Sequence, residues 1–321
     1  MNELRSTIAA ALEGREEPLR VAAATSDADM LAVLRSVIDA LGAPLEVLRV
    51  TSQTAVGAAG PIVVRVAMPG RSSVDAGLLV RAARSLHAAG VPTANPRGGL
   101  TVGNWEVTLW ERCADDGRPR WAALGRSIRD FHTASAVALP TLPPFSATLE
   151  DLRAVVLRTE VKGHDAARIW ERESTRIATA PQVPVLHGDV NLGNVLWSDR
   201  PLLVDLERCS SGPPEWDFAR LMLEVPLRHS AASMDDIIRG YEMVLEEELL
   251  TACTRLIAVY ALGWRLHEAE VSEVLEDERI AIEDFRRRTI QLLAAAESAE
   301  KAASHTAGSC GNTAAVGGAS A

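Results

Sequence analysis

Two carboxylates and one side-chain amide lie close together in sequence in the middle of the chain. Their spacing would allow them to form one reactive site. Asp189 is followed five residues later by Asn194, and Asp205 comes eleven residues after Asn194. The apolar runs NVLW and LLVD adjoin Asn194 and Asp205, and the polar residues 198–201 separate the two runs. Apolar runs on either side of a polar turn are typical of paired strands. Such a pair would return Asp205 to the side of Asn194.

These three side chains provide what phosphoryl transfer requires. Asn194 and Asp205 would offer an amide and a carboxylate oxygen to Mg²⁺, which takes its other ligands from water and phosphates. Asp189, just before that pair, would face the substrate and accept the proton of an attacking hydroxyl. Gly188 would let the backbone turn where a side chain would crowd the substrate. The segment 187–205 therefore predicts a kinase.

Two other interpretations of the same residues remain open. His187, Asp189 and Asp205 could be turn and cap residues of an unrelated α+β fold, because Asp is favoured in polar loops. His187 and Asp189 could also bind a hydrolytic metal ion, although no further His or carboxylate lies at metal-ligand spacing. The length of the motif favours phosphoryl transfer.

The rest of the chain predicts an α+β fold with two lobes. Its first part contains apolar runs rich in β-branched residues, and its second part has apolar residues at helical spacing. We therefore expect a small β-rich N-terminal lobe and a larger, mainly helical C-terminal lobe that carries the segment 187–205. The predicted elements of the first part are a helix at 31–41 with Ser26 and Asp27 as possible caps, strands at 45–50, 62–68 and 105–110, and a helix at roughly 74–89.

Composition excludes several classes of protein. The chain has 321 residues, 47% of them apolar, and a formal net charge of −10. That charge argues against a nucleic-acid partner, which would need a basic face. No run of roughly 18 apolar residues could span a membrane, and the N-terminus is too charged for a secretory signal. The cysteines show no C-x-x-C spacing, so reduced thiols are expected. We predict a cytoplasmic monomer or homodimer.

The central segment resembles the signature of the aminoglycoside phosphotransferase and choline kinase family, which has a protein-kinase-like fold. The matching residues are HGD at 187–189, Asn194, and VDLE at 204–207. WDFA at 216–219 resembles the downstream Asp-Leu-Ala element of the family, with Phe218 in place of Leu. The resemblance extends over about 45–295.

The resemblance implies a role for each matching residue. Asp189 would be the catalytic base, and Asn194 and Asp205 would be the Mg²⁺ ligands. His187 and Asp217 would support the catalytic loop from behind.

The nucleotide half matches the family less closely. Arg65 lies where many kinases have the phosphate-pairing Lys, and a guanidinium can clamp phosphate oxygens. Ser52 lies in the place of the phosphate-covering loop, which here lacks glycine, and adenine would pair with backbone groups near Trp110 and Arg112. The alternatives are an exposed Arg65 on a half-buried strand, a plain turn at Ser52 and a core role for Trp110.

The helix at 74–89 lacks the acidic residue that pairs with this cation in the family. Leu79 occupies the aligned position, and Asp75 lies one turn earlier. Either Asp75 substitutes, or Arg65 is held only by the nucleotide.

Contacts with the acceptor are expected from Glu207, Glu224 and Trp264. Acidic side chains could bind ammonium groups, and an indole could stack on a sugar ring or cage an amine. Trp264 could instead belong to the core. The glutamates 246–248 are typical of a solvated helix face.

The family resemblance implies an ATP- or GTP-dependent O-phosphotransferase that acts on a small polar molecule, an aminoglycoside-like or other antibiotic. The alternatives are a metabolic kinase for choline, an amino alcohol or a sugar, and a catalytically silent nucleotide-binding module. Residues 1–112 would form the nucleotide-binding lobe, and 113–300 the lobe with the catalytic loop and the acceptor site. Residues 301–321, mostly Ala, Gly and Ser, would be a disordered tail.

Overall fold

The structure, a computed structural model, confirms the predicted α+β class, with a β-sheet in the N-terminal region and a mainly helical remainder. It describes residues 2–13, 19–21, 29–50, 54–68, 76–134, 142–158, 166–271, 285–291 and 293–294. The chain divides into two compact units, residues 1–151 with 175–254 and residues 152–174 with 255–321. The boundary expected near residue 112 lies inside the first unit and stays a prediction, and the tail at 301–321 lies outside the described residues.

A six-stranded sheet organises the N-terminal region. Its strand order is β1-β5-β6-β4-β3-β2, in which β1 runs parallel to β5 and all other neighbours are antiparallel. The strands are β1 (Leu19–Val21), β2 (Glu46–Val50), β3 (Thr54–Ala59), β4 (Ile62–Ala67), β5 (Pro96–Val102) and β6 (Trp105–Glu111). The helices of this region are α1 (Asn2–Leu12), α2 (Met30–Leu41) and α3 (Ala76–Ala88). Apolar side chains of α1, α2 and the sheet form one core.

The ends of α2 follow from local capping. The Asp29 carboxylate accepts a hydrogen bond from Ala32 N (2.7 Å), and Gly42 ends the helix with a φ of 72°. An Asp before the first turn satisfies a backbone donor that the helix leaves unpaired. The caps expected at Ser26 and Asp27 lie outside the described residues.

The mainly helical remainder carries two short antiparallel strand pairs. Its helices are α4 (Trp121–His132), α5 (Phe145–Arg158), α6 (Ala166–Ala178), α7 (Glu215–Arg228), α8 (Ala231–Tyr241) and α9 (Glu247–Val271). The strands are β7 (Val183–Leu186), β8 (Val195–Leu196), β9 (Leu202–Leu203) and β10 (Ser210–Gly212), with β7 paired to β10 and β8 to β9. Single 3₁₀ turns cover Leu192–Asn194 and Leu206–Arg208. In the described part of the chain, no helix is long and apolar enough to cross a membrane.

Helices α4 and α8 approach each other through glycine. A Cβ atom placed at Gly125 would lie 2.0 Å from Ile237 O, and one at Gly240 would lie 2.0 Å from Ala122 O. In both cases the contact atom belongs to the backbone of the other helix, which cannot rotate away as a side chain can. Because α4 carries His132 and α8 ends at Tyr241, this crossing also fixes two side chains of the site described below.

We expect Gly240→Ala to destabilise the protein by about 3 kcal/mol, because the added methyl group forces the two helices apart. Urea unfolding followed by circular dichroism measures the change. Ala232→Ser on the exposed side of the same helix is the control and should stay within about 0.5 kcal/mol of the native chain. Equal stability of the two variants would contradict the close crossing.

Candidate active site

The loop that follows β7, residues 187–194, is called the catalytic loop below, and a buried carboxylate fixes its start. Asp217, in the first turn of α7, accepts hydrogen bonds from His187 N at Oδ2 (2.9 Å) and from Gly188 N at Oδ1 (2.7 Å). Trp216 Nε1 donates to Gly188 O (3.1 Å). Gly188 has a φ of 83°, and a Cβ there would lie 2.0 Å from Arg208 O. Only glycine fits this position.

Asp217 also belongs to a buried polar chain. Its Oδ2 atom accepts a third hydrogen bond from His132 Nε2 (2.9 Å), and the Tyr241 hydroxyl lies 2.7 Å from His132 Nδ1. Burial pushes the pKa of Asp217 upward, but the hydrogen bonds from His132 and from the backbone of His187 outweigh it and hold that pKa below its usual value. An ionised Asp217 therefore anchors the catalytic loop from behind, where the sequence predicted a support.

His187 links the catalytic loop to the strand that precedes Asp205. Its Nε2 atom lies 2.9 Å from the carbonyl oxygen of Val204, and its Nδ1 atom accepts from Asp189 N (3.3 Å). Because a carbonyl only accepts, Nε2 carries the proton and Nδ1 is the acceptor. Both ring nitrogens of His187 are thus engaged with backbone groups. His187 therefore supports the loop and does not act as a base.

Asp189 lies at the surface of this loop with its side chain 28% exposed, so a substrate can reach it. Asn194 Nδ2 donates to Asp189 O (3.0 Å) and lies 3.3 Å from Asp189 Oδ2. Arg220 Nη1 donates to Asp189 Oδ1 (2.9 Å). Its Nε donates to Glu224 Oε1 (3.0 Å), and Glu224 Oε2 accepts from Leu192 N (3.2 Å). Glu224, expected to contact the acceptor, ties α7 to the catalytic loop here.

Sequence reasoning missed Arg220. A usable signal was present, because Arg220 lies three residues after Asp217 and four before Glu224 on one helix. Residues spaced by three and four share a helix face. The face that holds Asp217 against the catalytic loop therefore also directs Arg220 to Asp189.

Asn194 and Asp205 are brought together as the sequence predicted. Val195 pairs with Leu203 in the β8–β9 hairpin, and Val204 N donates to Asn194 O (2.9 Å). Asp205 adopts a left-handed conformation with a φ of 68°, which is uncommon for a residue other than glycine. Such backbone strain is typical of functional sites.

The chemistry of these two residues fits a divalent cation. Asp205 Oδ1 is buried and has no hydrogen-bond partner, and a buried carboxylate oxygen without a donor is costly unless a cation completes it. The Nδ2 group of Asn194 faces Asp189, which leaves Oδ1 as the atom that could bind a cation. Among the described residues no group of three or more His, Cys, Asp and Glu could hold a metal ion. Phosphates and water would therefore complete the shell, as Mg²⁺ prefers.

The cation Arg65 has an acidic partner, which corrects one expectation. Arg65, on β4, forms a close ion pair with Glu207 through Nη1, and its Nη2 lies 3.8 Å from Asp205 Oδ1. The expectation that the nucleotide alone holds Arg65 was wrong, because the 3₁₀ turn after Asp205 carries Glu207 to β4. The alternative that Asp75 pairs with Arg65 stays a prediction. Leu79 is buried in the core, and Asp75 lies outside the described residues. Burial and the Asp205 charge raise the pKa of Glu207 to about 7, against the lowering effect of Arg65.

The remaining predicted contacts are placed as follows. Trp110 is half-buried, and its Nε1 donates to Thr108 Oγ1 (2.8 Å). Arg112 N donates to Pro61 O (2.8 Å), and its guanidinium donates twice to Glu46, at 2.7 and 3.0 Å. The N–H group of Arg112 is thus engaged within the sheet region. The pairing of adenine with backbone groups near Trp110 and Arg112 stays a prediction.

Two predicted contacts, Ser52 and Trp264, stay predictions. Ser52 lies outside the described residues. Trp264 belongs to the second unit, where its ring lies 6.5 Å from that of Tyr260.

The first unit also contains a cavity of about 400 Å³ near the end of α6 and the starts of α7 and α9. None of the residues predicted to act in catalysis or in metal or nucleotide binding lines it. The cavity is therefore separate from the arrangement around Asp189.

The chain matches a protein family described as the phosphotransferase enzyme family over residues 46–253. Over 84 residues it is 34% identical to serine/threonine protein kinase RdoA from Salmonella typhimurium and 32% identical to stress response kinase A from Escherichia coli strain K12. Each match covers 25% of this chain and 25% of the relative. The aligned part thus spans about a quarter of the length of these relatives.

Solved structures are similar over most of the chain. Aminoglycoside phosphotransferase APH(3'')-Id from Streptomyces rimosus has a TM-score of 0.59 and 16% identity, over 72% of this chain and 98% of its own. Its complex with ADP and streptomycin has a TM-score of 0.58 and 16% identity, over 73% and 99%. A choline/ethanolamine kinase family protein from Mesorhizobium loti has a TM-score of 0.59 and 20% identity, over 83% and 95%. The likeness confirms the predicted protein-kinase-like fold.

Proposed function

The chain belongs to the phosphotransferase enzyme family, and from this premise we propose that it is a cytoplasmic kinase that phosphorylates a hydroxyl of a small polar molecule. The donor would be ATP or GTP with Mg²⁺. The observation that carries the proposal is the placement of Asp189. Its partly exposed carboxylate lies on a loop anchored by Asp217 and hydrogen-bonded to Asn194, one of the two proposed metal ligands.

Each residue of the site has a role in this reaction. Asp189 accepts the proton of the acceptor hydroxyl as the new bond to phosphorus forms. Asn194 and Asp205 would hold Mg²⁺, which when bound neutralises charge on the phosphates. Arg65 contacts phosphate oxygens with a guanidinium whose planar donors match them. Arg220 keeps one oxygen of Asp189 occupied and so orients the other.

The acceptor we favour is an aminoglycoside-like or other antibiotic. The support is the likeness in fold to APH(3'')-Id, which was solved with streptomycin. Choline, an amino alcohol or a sugar is the alternative supported by the choline/ethanolamine kinase family protein. The sequence match to serine/threonine protein kinase RdoA adds a protein hydroxyl as a further candidate.

An ADP-release assay with ATP or GTP and Mg²⁺ tests the proposal. Streptomycin, other aminoglycosides, choline, ethanolamine, common sugars and a serine-rich protein serve as acceptors. We expect turnover with one class of small polar acceptor and background release with the others. Turnover of the protein alone would move the assignment to a protein kinase. Nucleotide binding without turnover of any acceptor would identify a silent module and contradict the proposal.

A further inference from the structure

We propose that Glu207 is the positioning residue for Arg65, and that it takes over the pairing role that an acid on α3 would have. The inference rests on the proposed function, because it assumes that Arg65 binds the phosphates of a nucleotide. Glu207 itself contacts neither phosphate nor acceptor in this assignment. It acts through the guanidinium.

The two ends of the guanidinium have different surroundings. Nη1 is held by Glu207, whereas Nη2 faces Asp205 Oδ1 at 3.8 Å. That oxygen is buried and has no hydrogen-bond partner. A cation with one nitrogen anchored and the other directed toward a proposed metal ligand is oriented for the phosphates that the metal would bind.

Helix α3 cannot supply the partner. Residues 76–88 contain no Asp or Glu, and the face of α3 that packs inward consists of apolar residues. These are Ala76, Leu79, Val80, Ala82, Ala83 and Leu86. Glu207 is instead delivered by the turn that directly follows Asp205.

Glu207 thereby links Arg65 to the segment that carries Asp205, the proposed metal ligand. Arg65 lies on β4, which is hydrogen-bonded on both sides to β3 and β6, so its backbone is fixed. Glu207 comes from the same short segment as Asp205, and that segment is fixed through Val204 to Asn194 and His187. The partner of the guanidinium therefore belongs to the segment that carries Asp205 and not to α3.

The test compares ADP with adenosine, which lacks phosphates, by isothermal titration calorimetry of the full chain. Measurements with EDTA remove any effect through a metal. We expect Glu207→Ala to weaken ADP binding about tenfold, the lower end of what a charge-assisted hydrogen bond contributes, and to leave adenosine affinity within about twofold. Glu207→Gln keeps an acceptor for Arg65 and should stay within about threefold of the native ADP affinity.

Two further variants locate the effect. In an Arg65→Gln background, Glu207→Ala should weaken ADP binding no further, because the residue acts only through Arg65. Asp236→Ala removes the partner of Arg239 on the exposed side of α8 and is the matched control, with no change expected for either ligand. Should Glu207→Ala fail to fold, Glu207→Asp carries the test with the same sign.

Three results would overturn the inference. Tighter ADP binding by Glu207→Ala would make Glu207 a competitor of the phosphates. Unchanged ADP binding, while Arg65→Gln weakens it, would remove Glu207 but leave the proposed function standing. Unchanged ADP binding by Arg65→Gln itself would remove both the inference and the nucleotide site of the proposed function.

Discussion

An Asp189→Asn variant is expected to transfer phosphoryl groups about 10²- to 10⁴-fold more slowly than the native chain, the range typical of losing a general base. Its affinity for ADP should be nearly unchanged. The amide of Asn cannot accept the proton that the acceptor hydroxyl releases. The loss therefore appears in kcat, because the interaction matters when the bond to phosphorus forms.

The surroundings of Asp189 add to this loss. Arg220 donates to Oδ1, and Asn194 Nδ2 lies 3.3 Å from Oδ2. A carboxylate accepts at both oxygens, but Asn offers one acceptor and would direct its own N–H₂ group at one of these donors. The substituted side chain is thus also misplaced.

The measurement is the ADP-release rate with the acceptor found in the proposed assay, together with calorimetric titration of ADP. Asp199→Asn, in the exposed turn between β8 and β9, is the control and should keep native kcat and ADP affinity. Turnover of Asp189→Asn at the native rate would remove Asp189 as the base. A loss of ADP binding would show that Asp189 acts in the nucleotide site instead.

The sequence was most informative where partners are local. The pairing of Val195 with Leu203 depends on two apolar runs and the turn between them, all of which are read from one short stretch. The close placement of Asn194 and Asp205 follows from that hairpin alone. The placement of Asn194 beside Asp205 could therefore be predicted from this stretch of sequence without knowledge of the rest of the fold.

Partners distant in sequence were beyond that reasoning. Glu207 meets Arg65 because a 3₁₀ turn of the helical region faces a strand of the sheet, and no local pattern reports such a meeting. The family's pairing position on α3 here holds the buried Leu79 and not an acid. The acid was present in the signature segment, but its partner could be assigned only in three dimensions.

Strand β5 was missed for a physical reason of another kind. Its sequence, PRGGLTV, contains residues that are depleted in strands. A Cβ at Gly98 would lie 2.4 Å from Ala11 O, so the close packing of α1 requires glycine. Glycine disfavours a strand by local propensity, but the packing of α1 requires it at this position.

Replacing Asp217, the buried carboxylate that holds the catalytic loop, should produce the largest loss of stability. We expect Asp217→Asn to destabilise the protein by about 3–5 kcal/mol, the range for breaking a buried charged network. Asp217 accepts from His187 N, Gly188 N and His132 Nε2. An Asn side chain accepts at one atom only and directs its N–H₂ group at the remaining donors, so at least one buried N–H loses its partner.

Urea unfolding at pH 7 measures this change. The control is Asp130→Asn, which removes a partly exposed partner of Arg200. It should lower the free energy of unfolding by about 1 kcal/mol or less. The kcat of Asp217→Asn should fall as well, because the backbone of His187 and Gly188 is no longer fixed beneath Asp189. Equal losses in the two variants would mean that Asp217 does not anchor the catalytic loop.

The pH dependence of the same pair of proteins identifies the charge as the cause. The folded pKa of Asp217 is lowered, so its ionisation stabilises the native chain above the unfolded pKa of about 3.9. That contribution is lost as the pH falls through the folded value. The stability difference between the native chain and Asp217→Asn should therefore be constant near neutral pH and shrink below about pH 4. A difference that stays constant down to pH 3 would show that shape, and not the charge of Asp217, holds the catalytic loop.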